Sequence, residues 1–269
     1  MKTKQGYSRG KIWIGTSGWT YGHWQQLFYP AGLPAKERLP YYVRHFLTTE
    51  VNYSFYHLPR PSTYCKWYSE TPAGFVFAVK ASRFITHVKK LQGVQEAWAK
   101  FIESARHLQE KLGPVLFQFP PGFPAKDGEV QILREFLELI TAGPGRESEA
   151  GGKFGPGREL RFAFEFRHQS WCCREVYELL REYNAAWVIA DSARYPKAKA
   201  VTADFVYVRM HGPQAMFGSA YSKEEINELA REVKEWSAAG LDVYVYFNND
   251  FHGYAVANAR NLMRKLPGD

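Results

Sequence analysis

The sequence predicts an α/β protein built as a single (β/α)8 TIM barrel, a closed ring of parallel strands with helices outside. Three observations predict it. Eight segments rich in Val, Ile, Phe and Tyr, bounded by Gly, Pro, Asn or Asp, recur along the 269 residues. Helical patterns fall between most of them, and a parallel neighbour requires such a crossover. Polar residues collect at the C-terminal ends of these segments, where a barrel carries its chemistry.

In chain order the strands are "IWIGT" from Ile12, "TEVNYSF" from Thr49, "FVFAVKA" from Phe75 and "PVLFQF" from Pro114 to Phe119. They continue with "RFAFEFR" from Arg161, "AWVIAD" ending at Asp191, "FVYVRMHG" from Phe205 and "DVYVYFNND" from Asp242. Val94, Ala97, Trp98, Phe101, Ile102, Ala105, Leu108 and Leu112 keep the three-four spacing of a buried helical stripe, with Gly113 as its stop. Ser222 and Glu225 form a capping box ahead of the apolar face Ile226, Leu229, Val233 and Trp236, and Gly240 ends that helix. Val256, Ala259, Leu262, Met263 and Leu266 predict a last helix. Less regular helices are expected within Pro34 to Phe46, Pro61 to Tyr68, Asp127 to Ile140 and Arg174 to Tyr183.

Two stretches break the pattern. "DSARYPKAKAVTA", from Asp191 to Ala203, has a proline and little apolar face, so the sixth helix is expected to be short or missing. The Gly-rich, charged stretch 142–159 joins the fourth barrel helix to the fifth strand and is expected to be a flexible insertion on the bottom face. Residues 1–10 are polar and basic and are expected to be a flexible start, leaving residues 1–269 as one domain.

Strand five has two unlike faces. By the two-residue period Phe162, Phe164 and Phe166 turn toward the outer helices, Ala163 packs inside, and Glu165 and Arg167 rise toward the mouth about 6.6–6.8 Å apart. The corresponding positions elsewhere carry Trp19 and Tyr21 after strand one, Asn52 and Tyr53 after strand two, Lys80 on strand three and Gln118 on strand four. Strand seven places Arg209 and His211 on one face, and strand eight ends in Asn248 and Asn249.

Polar groups inside a barrel cost several kcal/mol unless paired or open to a pocket. One explanation is an internal network in which Glu165 neutralises Arg167 or Arg209. The other is a pocket floor. Lys80, Arg167 and Arg209 then clamp an anion, Glu165 or His211 moves protons, Asn52, Gln118, Asn248 and Asn249 orient the substrate, and Trp19, Tyr21 and Tyr53 supply aromatic walls. One carboxylate does not neutralise three cations, so a small phosphate- or carboxylate-bearing substrate is the expected partner, with phosphoester hydrolysis placed ahead of isomerisation.

The formal charge of +8 also admits nucleic acid as a partner, either in the mouth or on surface cations such as Lys89, Lys90 and the "RYPKAKA" loop. A third alternative is a metal-dependent isomerase or hydrolase using Glu165, Asp191 and His211, but no HExxH or multi-histidine cluster supports it and the arginines oppose a cation. No metal and no cofactor is therefore expected. Glycine-rich phosphate loops and dinucleotide fingerprints are missing, the three cysteines lack CxxC spacing, and no segment has the length of a membrane span. A cytoplasmic protein is the expectation.

Seven stretches together resemble the YecE-like family, the domain of unknown function seventy-two: "IGTSGWTYGHW" with "LFYPAGLP", "EVNYSFYHLP", "FVFAVKASRFITH", "GPVLFQFPPGF", "FEFRHQSW", "YVRMHG" and "YFNNDFHGYAVANA". The resemblance runs from Ile14 to about Leu262. It implies a TIM barrel related to xylose-isomerase-like and endonuclease-IV-like barrels. It marks Gly18, Trp19, Asn52, Lys80, Gln118, Glu165, Arg167, Arg209, His211, Asn248 and Asn249, and it implies no activity. The many metal-binding histidines of the endonuclease relatives have no counterpart in this sequence, so their chemistry does not carry over.

Overall fold

The computed structural model describes residues 8–126, 128–142 and 160–266. Eight strands, β1 (Ile12–Ser17), β2 (Thr48–Val51), β3 (Val76–Lys80), β4 (Leu112–Gln118), β5 (Phe162–Glu165), β6 (Ala186–Asp191), β7 (Phe205–Met210) and β8 (Asp242–Phe247), close into one barrel in sequence order. Every pairing is parallel, and β1 closes on β8 from Ile12 opposite Val243 to Thr16 opposite Phe247.

The alternation predicted on β5 holds. Phe162, Phe164 and Phe166 join the outer core between sheet and helices, while Ala163 belongs to the separate inner cluster with Ala78, Leu116, Val188, Tyr207 and Tyr246. Barrel interiors are normally filled by branched aliphatics. Here Trp13 stacks on Tyr244 at 4.7 Å, and the phenols that replace aliphatics are bonded: Tyr246 shares a proton with Thr48 Oγ1 at 2.7 Å, and Tyr207 donates to Glu50 Oε2 at 2.8 Å. Bulky rings are accommodated beside Gly15, where a Cβ would lie 2.2 Å from the Thr48 carbonyl oxygen.

Three expectations of detail are corrected. The second strand stops at Val51, and the expected strand end "YSF" instead opens a helical turn, α1 (Tyr53–Tyr56). The stripe from Val94 is helical only over α2 (Gln95–Ala105), then tightens into a 3-10 segment interrupted by Gln109 at φ 50°. Gly113 is not a helix stop but lies inside β4 at a register shift, where a Cβ would meet Val76 Cγ1 at 2.4 Å. Close backbone approach, not chain reversal, demands glycine there.

The crossover after β6 has no helix, as expected. Its segment 192–204 instead folds back onto the barrel: Thr202 Oγ1 accepts from the Trp187 N–H at 2.7 Å, and Trp187 Nε1 donates to Ala198 O at 3.1 Å. The long helix α3 (Lys223–Ala238) begins with the predicted capping box, Ser222 Oγ accepting from Glu225 N and Glu225 Oε2 accepting from Ser222 N. Ser222→Ala removes one of these and is expected to cost about 1 kcal/mol in urea unfolding; an unchanged midpoint would show the cap to be redundant. The insertion expected at 142–159 lies, beyond Ala142, outside the described residues, as do residues 1–7 of the expected flexible start. Gly10 is already tied down, its N–H donating to Ser237 O at 2.9 Å. No helix among the described residues is long and apolar enough to cross a membrane.

Candidate functional site

A cavity of about 1080 Å³ opens at the C-terminal end of the strands. Its floor carries Lys80, Gln118, Arg167, Arg209 and Asn248, and its walls include Trp19, Tyr21, Asn52 and Tyr53. Nine of the twelve residues expected at the mouth therefore line one space, although Trp19 is almost fully covered by Trp67 and Phe77, whereas Tyr53 is half exposed on the rim. Asn52 follows β2 directly, and Tyr21 is fixed by its hydroxyl donating to Ser17 O at 2.6 Å. Gly18, at φ +96°, turns the chain out of β1 with the Tyr21 ring against its Cα.

Glu165 and His211 lie just beneath this floor and Asn249 lies behind it. Asn249 Nδ2 donates to Ser219 O at 2.9 Å and to Asn258 Oδ1 at 3.0 Å, which ties β8 to the helix α4 (Tyr254–Met263). Substrate orientation from strand position alone does not extend to it. His211 is fully buried, with Nδ1 receiving the Asn248 amide at 3.1 Å and Nε2 3.3 Å from Glu165 Oε1, a contact without hydrogen-bond alignment. Burial lowers its pKa despite Glu165, so the ring is neutral at pH 7.

Beneath the floor sits an ionic network larger than the sequence reading allowed. Arg209, 1% exposed, donates from Nη2 and Nε to Glu50 at 2.7 and 3.0 Å and from Nη1 to Glu165. Arg167 Nε donates to the other oxygen of Glu165 at 2.8 Å, and its guanidinium stacks 4.4 Å over the Tyr195 ring. Burial opposes charge on both carboxylates, but Arg209 outweighs it. Glu165, with Arg167 added, is held well below the usual carboxylate range, and Glu50 is lowered as well. Both stay ionised at neutral pH.

Glu50 corrects the charge count. It is a second carboxylate beside the one set against three cations, and period two already puts it on the same face as Asn52 in "TEVN". Arg209 is matched from two sides and has no charge to spare for a ligand. Three cations over two carboxylates still leave one positive charge, and it falls on Lys80.

Lys80 is 8% exposed. Its backbone is clamped by Ser54 Oγ donating to Lys80 O at 2.6 Å, which seats the next residue of α1, Phe55, so that the Lys80 Nζ rides 4.0 Å from its ring centre. Among the described residues that Nζ makes no hydrogen bond and no ion pair. The second buried lysine is the contrast: Lys111 Nζ donates to Tyr68 O, Thr71 O and Thr71 Oγ1 at 2.6, 2.6 and 3.1 Å. Burial first, then Arg209 and Arg167, bring the pKa of Lys80 down to about 7 against the pull of Glu50 and Glu165.

Two further polar residues at the strand ends line the cavity. His87 faces the cavity edge-on to Phe55 at 4.9 Å, its pKa brought to about 4 by burial and then by Lys80 and Arg167. Asp250 stands on the opposite wall, its pKa raised by burial, 3.5 Å from His23 Nε2. The metal alternative loses its third member. Asp191 accepts from Tyr221 at 3.1 Å and from Lys197 at 3.0 Å, away from Glu165, and no group of three His, Cys, Asp or Glu among the described residues is placed to hold a metal.

Known proteins match this chain over nearly all its length. A DUF72 family protein of known structure from Thermotoga maritima is 29% identical and superposes with a TM-score of 0.80 over 94% of this chain and 98% of its own. Another from Enterococcus faecalis, 22% identical with a TM-score of 0.78 over 96% and 97%, shares the fold. The UPF0759 protein YunF of Bacillus subtilis is 26% identical over 95% of this chain and 94% of its own, and the UPF0759 protein YecE of Escherichia coli is 27% identical over 56% and 48%. With the family model "Protein of unknown function DUF72" matching residues 13–269, the chain belongs to the DUF72 family.

Proposed function

We propose that the protein is an enzyme acting on a small anionic substrate, bearing a carboxylate or phosphate, in the cavity at the C-terminal mouth of the barrel. The observation that carries this is the unmatched Lys80 on the cavity floor, beside an Arg209 that is fully matched. A bound anion would supply the counter-charge that the protein withholds. Arg167 has donors left beyond Glu165 and faces the same space, and Asn52, Gln118 and Asn248 offer neutral groups to orient the ligand.

In this reading the proton-moving role passes from Glu165 to Lys80. Glu165 stays ionised and beneath the floor, so with Glu50 and His211 it positions Arg209 and Arg167, whereas a group that titrates near 7 in contact with the ligand suits acid-base work. Surface binding of nucleic acid has less support, because Lys197 and Lys199 of the "RYPKAKA" loop are engaged by Asp191 and Glu232.

Binding of sulfate, whose charge is constant over the range, tests the site by calorimetry between pH 6 and 8.5. The charged groups facing Lys80 are Arg209, Arg167, Glu50, Glu165 and His87, and Lys80 itself is brought to about 7, inside this range, whereas His87 is brought to about 4. Affinity is expected to be full below pH 7 and to fall about tenfold per unit above it, each pKa unit being worth about 1.4 kcal/mol. Lys80→Met removes the pH dependence and most of the binding, and Arg167→Ala weakens binding at every pH. Binding that ignores pH and survives Lys80→Met rejects the site, and steep salt dependence on a long polyanion unaffected by Arg167→Ala points to the surface instead.

A further inference from the structure

We propose that Lys80 is a nucleophile that condenses with the aldehyde or ketone group of the anionic substrate to form an imine. This deepens the function proposed above and rests on it. A lysine kept only as a permanent anchor would be expected to have its ammonium supported, as Lys111 is by three oxygens and Arg209 by two carboxylates. Lys80 has the opposite surroundings. Its Nζ rests on the Phe55 ring, the cationic Arg209 and Arg167 act on it more strongly than the carboxylates of Glu50 and Glu165, and its free side is the cavity. Removal from water together with neighbouring cations is the arrangement that favours a neutral amine with its lone pair available.

The clamp from Ser54 to the Lys80 carbonyl holds the strand end, so the amine approaches the ligand from a fixed direction. A pKa of about 7 agrees with this placement, leaving much of the side chain unprotonated at neutral pH. In the step itself the Nζ lone pair attacks the carbonyl carbon and the C=O π pair moves to oxygen, which takes up a proton to give a carbinolamine. The nitrogen lone pair then forms the C=N bond as the C–O bond breaks. The carbonyl oxygen and the two amine hydrogens leave as one water, so no oxidant or reductant is involved. The ligand anion is held by Arg167 while the polar side chains of Asn52, Gln118 and Asn248 meet the rest of the molecule.

The test incubates the full-length protein with pyridoxal phosphate, a phosphate-bearing aldehyde, and separately with glyoxylate, a carboxylate-bearing one, each with sodium cyanoborohydride. Adducts are read by intact mass and peptide mapping. One reduced adduct per chain, on Lys80, is expected from at least one probe, its rate levelling off above pH 7 and its yield falling when sulfate is present. Lys80→Arg keeps the cation but forms no adduct there, and its sulfate binding no longer varies between pH 6 and 8.5. Adducts scattered over Lys36, Lys66 and exposed lysines with Lys80 unlabelled by both probes overturn the imine. If the wild type binds sulfate with the expected pH dependence but forms no adduct on Lys80, the imine alone fails; if it does not bind sulfate either, the anion site fails with it.

Discussion

Glu50→Ala is expected to lower the unfolding free energy by about 3–5 kcal/mol, the loss typical of breaking a buried ion pair from one side. Glu50 is fully buried and accepts from Arg209 twice and from the Tyr207 hydroxyl, so truncation leaves a guanidinium with two unanswered donors and a buried phenol with none of its acceptor. Desolvation of these orphaned groups, more than the loss of attraction, sets the magnitude. Glu224→Ala, on the exposed first turn of α3, is the control and should stay within about 0.5 kcal/mol. Equal urea midpoints for the two variants would mean that the Glu50–Arg209 pair contributes nothing net to folding.

Arg209→Met should reverse the direction in which stability responds to acid. In the native protein both Glu50 and Glu165 have folded-state pKa values below the ordinary 4.5. Their contribution is therefore complete above about pH 4.5 and is lost as pH falls through and below it. Without Arg209 burial prevails at Glu50, whose folded-state value rises above 4.5 and which then destabilises the fold increasingly as pH climbs past it, while Glu165 keeps Arg167 and loses only part of its lowering. The variant should be less stable than wild type by at least about 3 kcal/mol at pH 7. Relative to wild type it should recover stability between pH 7 and 5, the loss set by the lowered pKa values of His87 and His211 being common to both proteins. Parallel urea midpoints against pH for the two proteins would show that the arginine does not set these pKa values.

The barrel was legible because its cause is repetitive. Period-two apolar strands, crossovers of sufficient length and the Ser222 capping box each express local backbone physics, and the missing sixth helix followed from a proline and a poor apolar face. The misread details are places where tertiary packing overrode local preference. The aromatic "YSFY" favours extension by propensity, but Ser54 and Phe55 gain more by turning onto Lys80. Gly113 resembles a helix stop and is needed instead because Val76 leaves no room for a side chain.

By itself the sequence determined which residues stand at the barrel mouth, since alternation along a strand and the polarity of a parallel barrel follow from covalent geometry. Only the tertiary structure decided which of those charges are free. Pairing depends on the register and tilt of strands far apart in the chain: β2 and β5 deliver Glu50 and Glu165 to opposite sides of Arg209 from β7, and Lys80 on β3 is left facing open space. Ion pairing acts over a few ångströms, a scale that strand periodicity cannot resolve between strands.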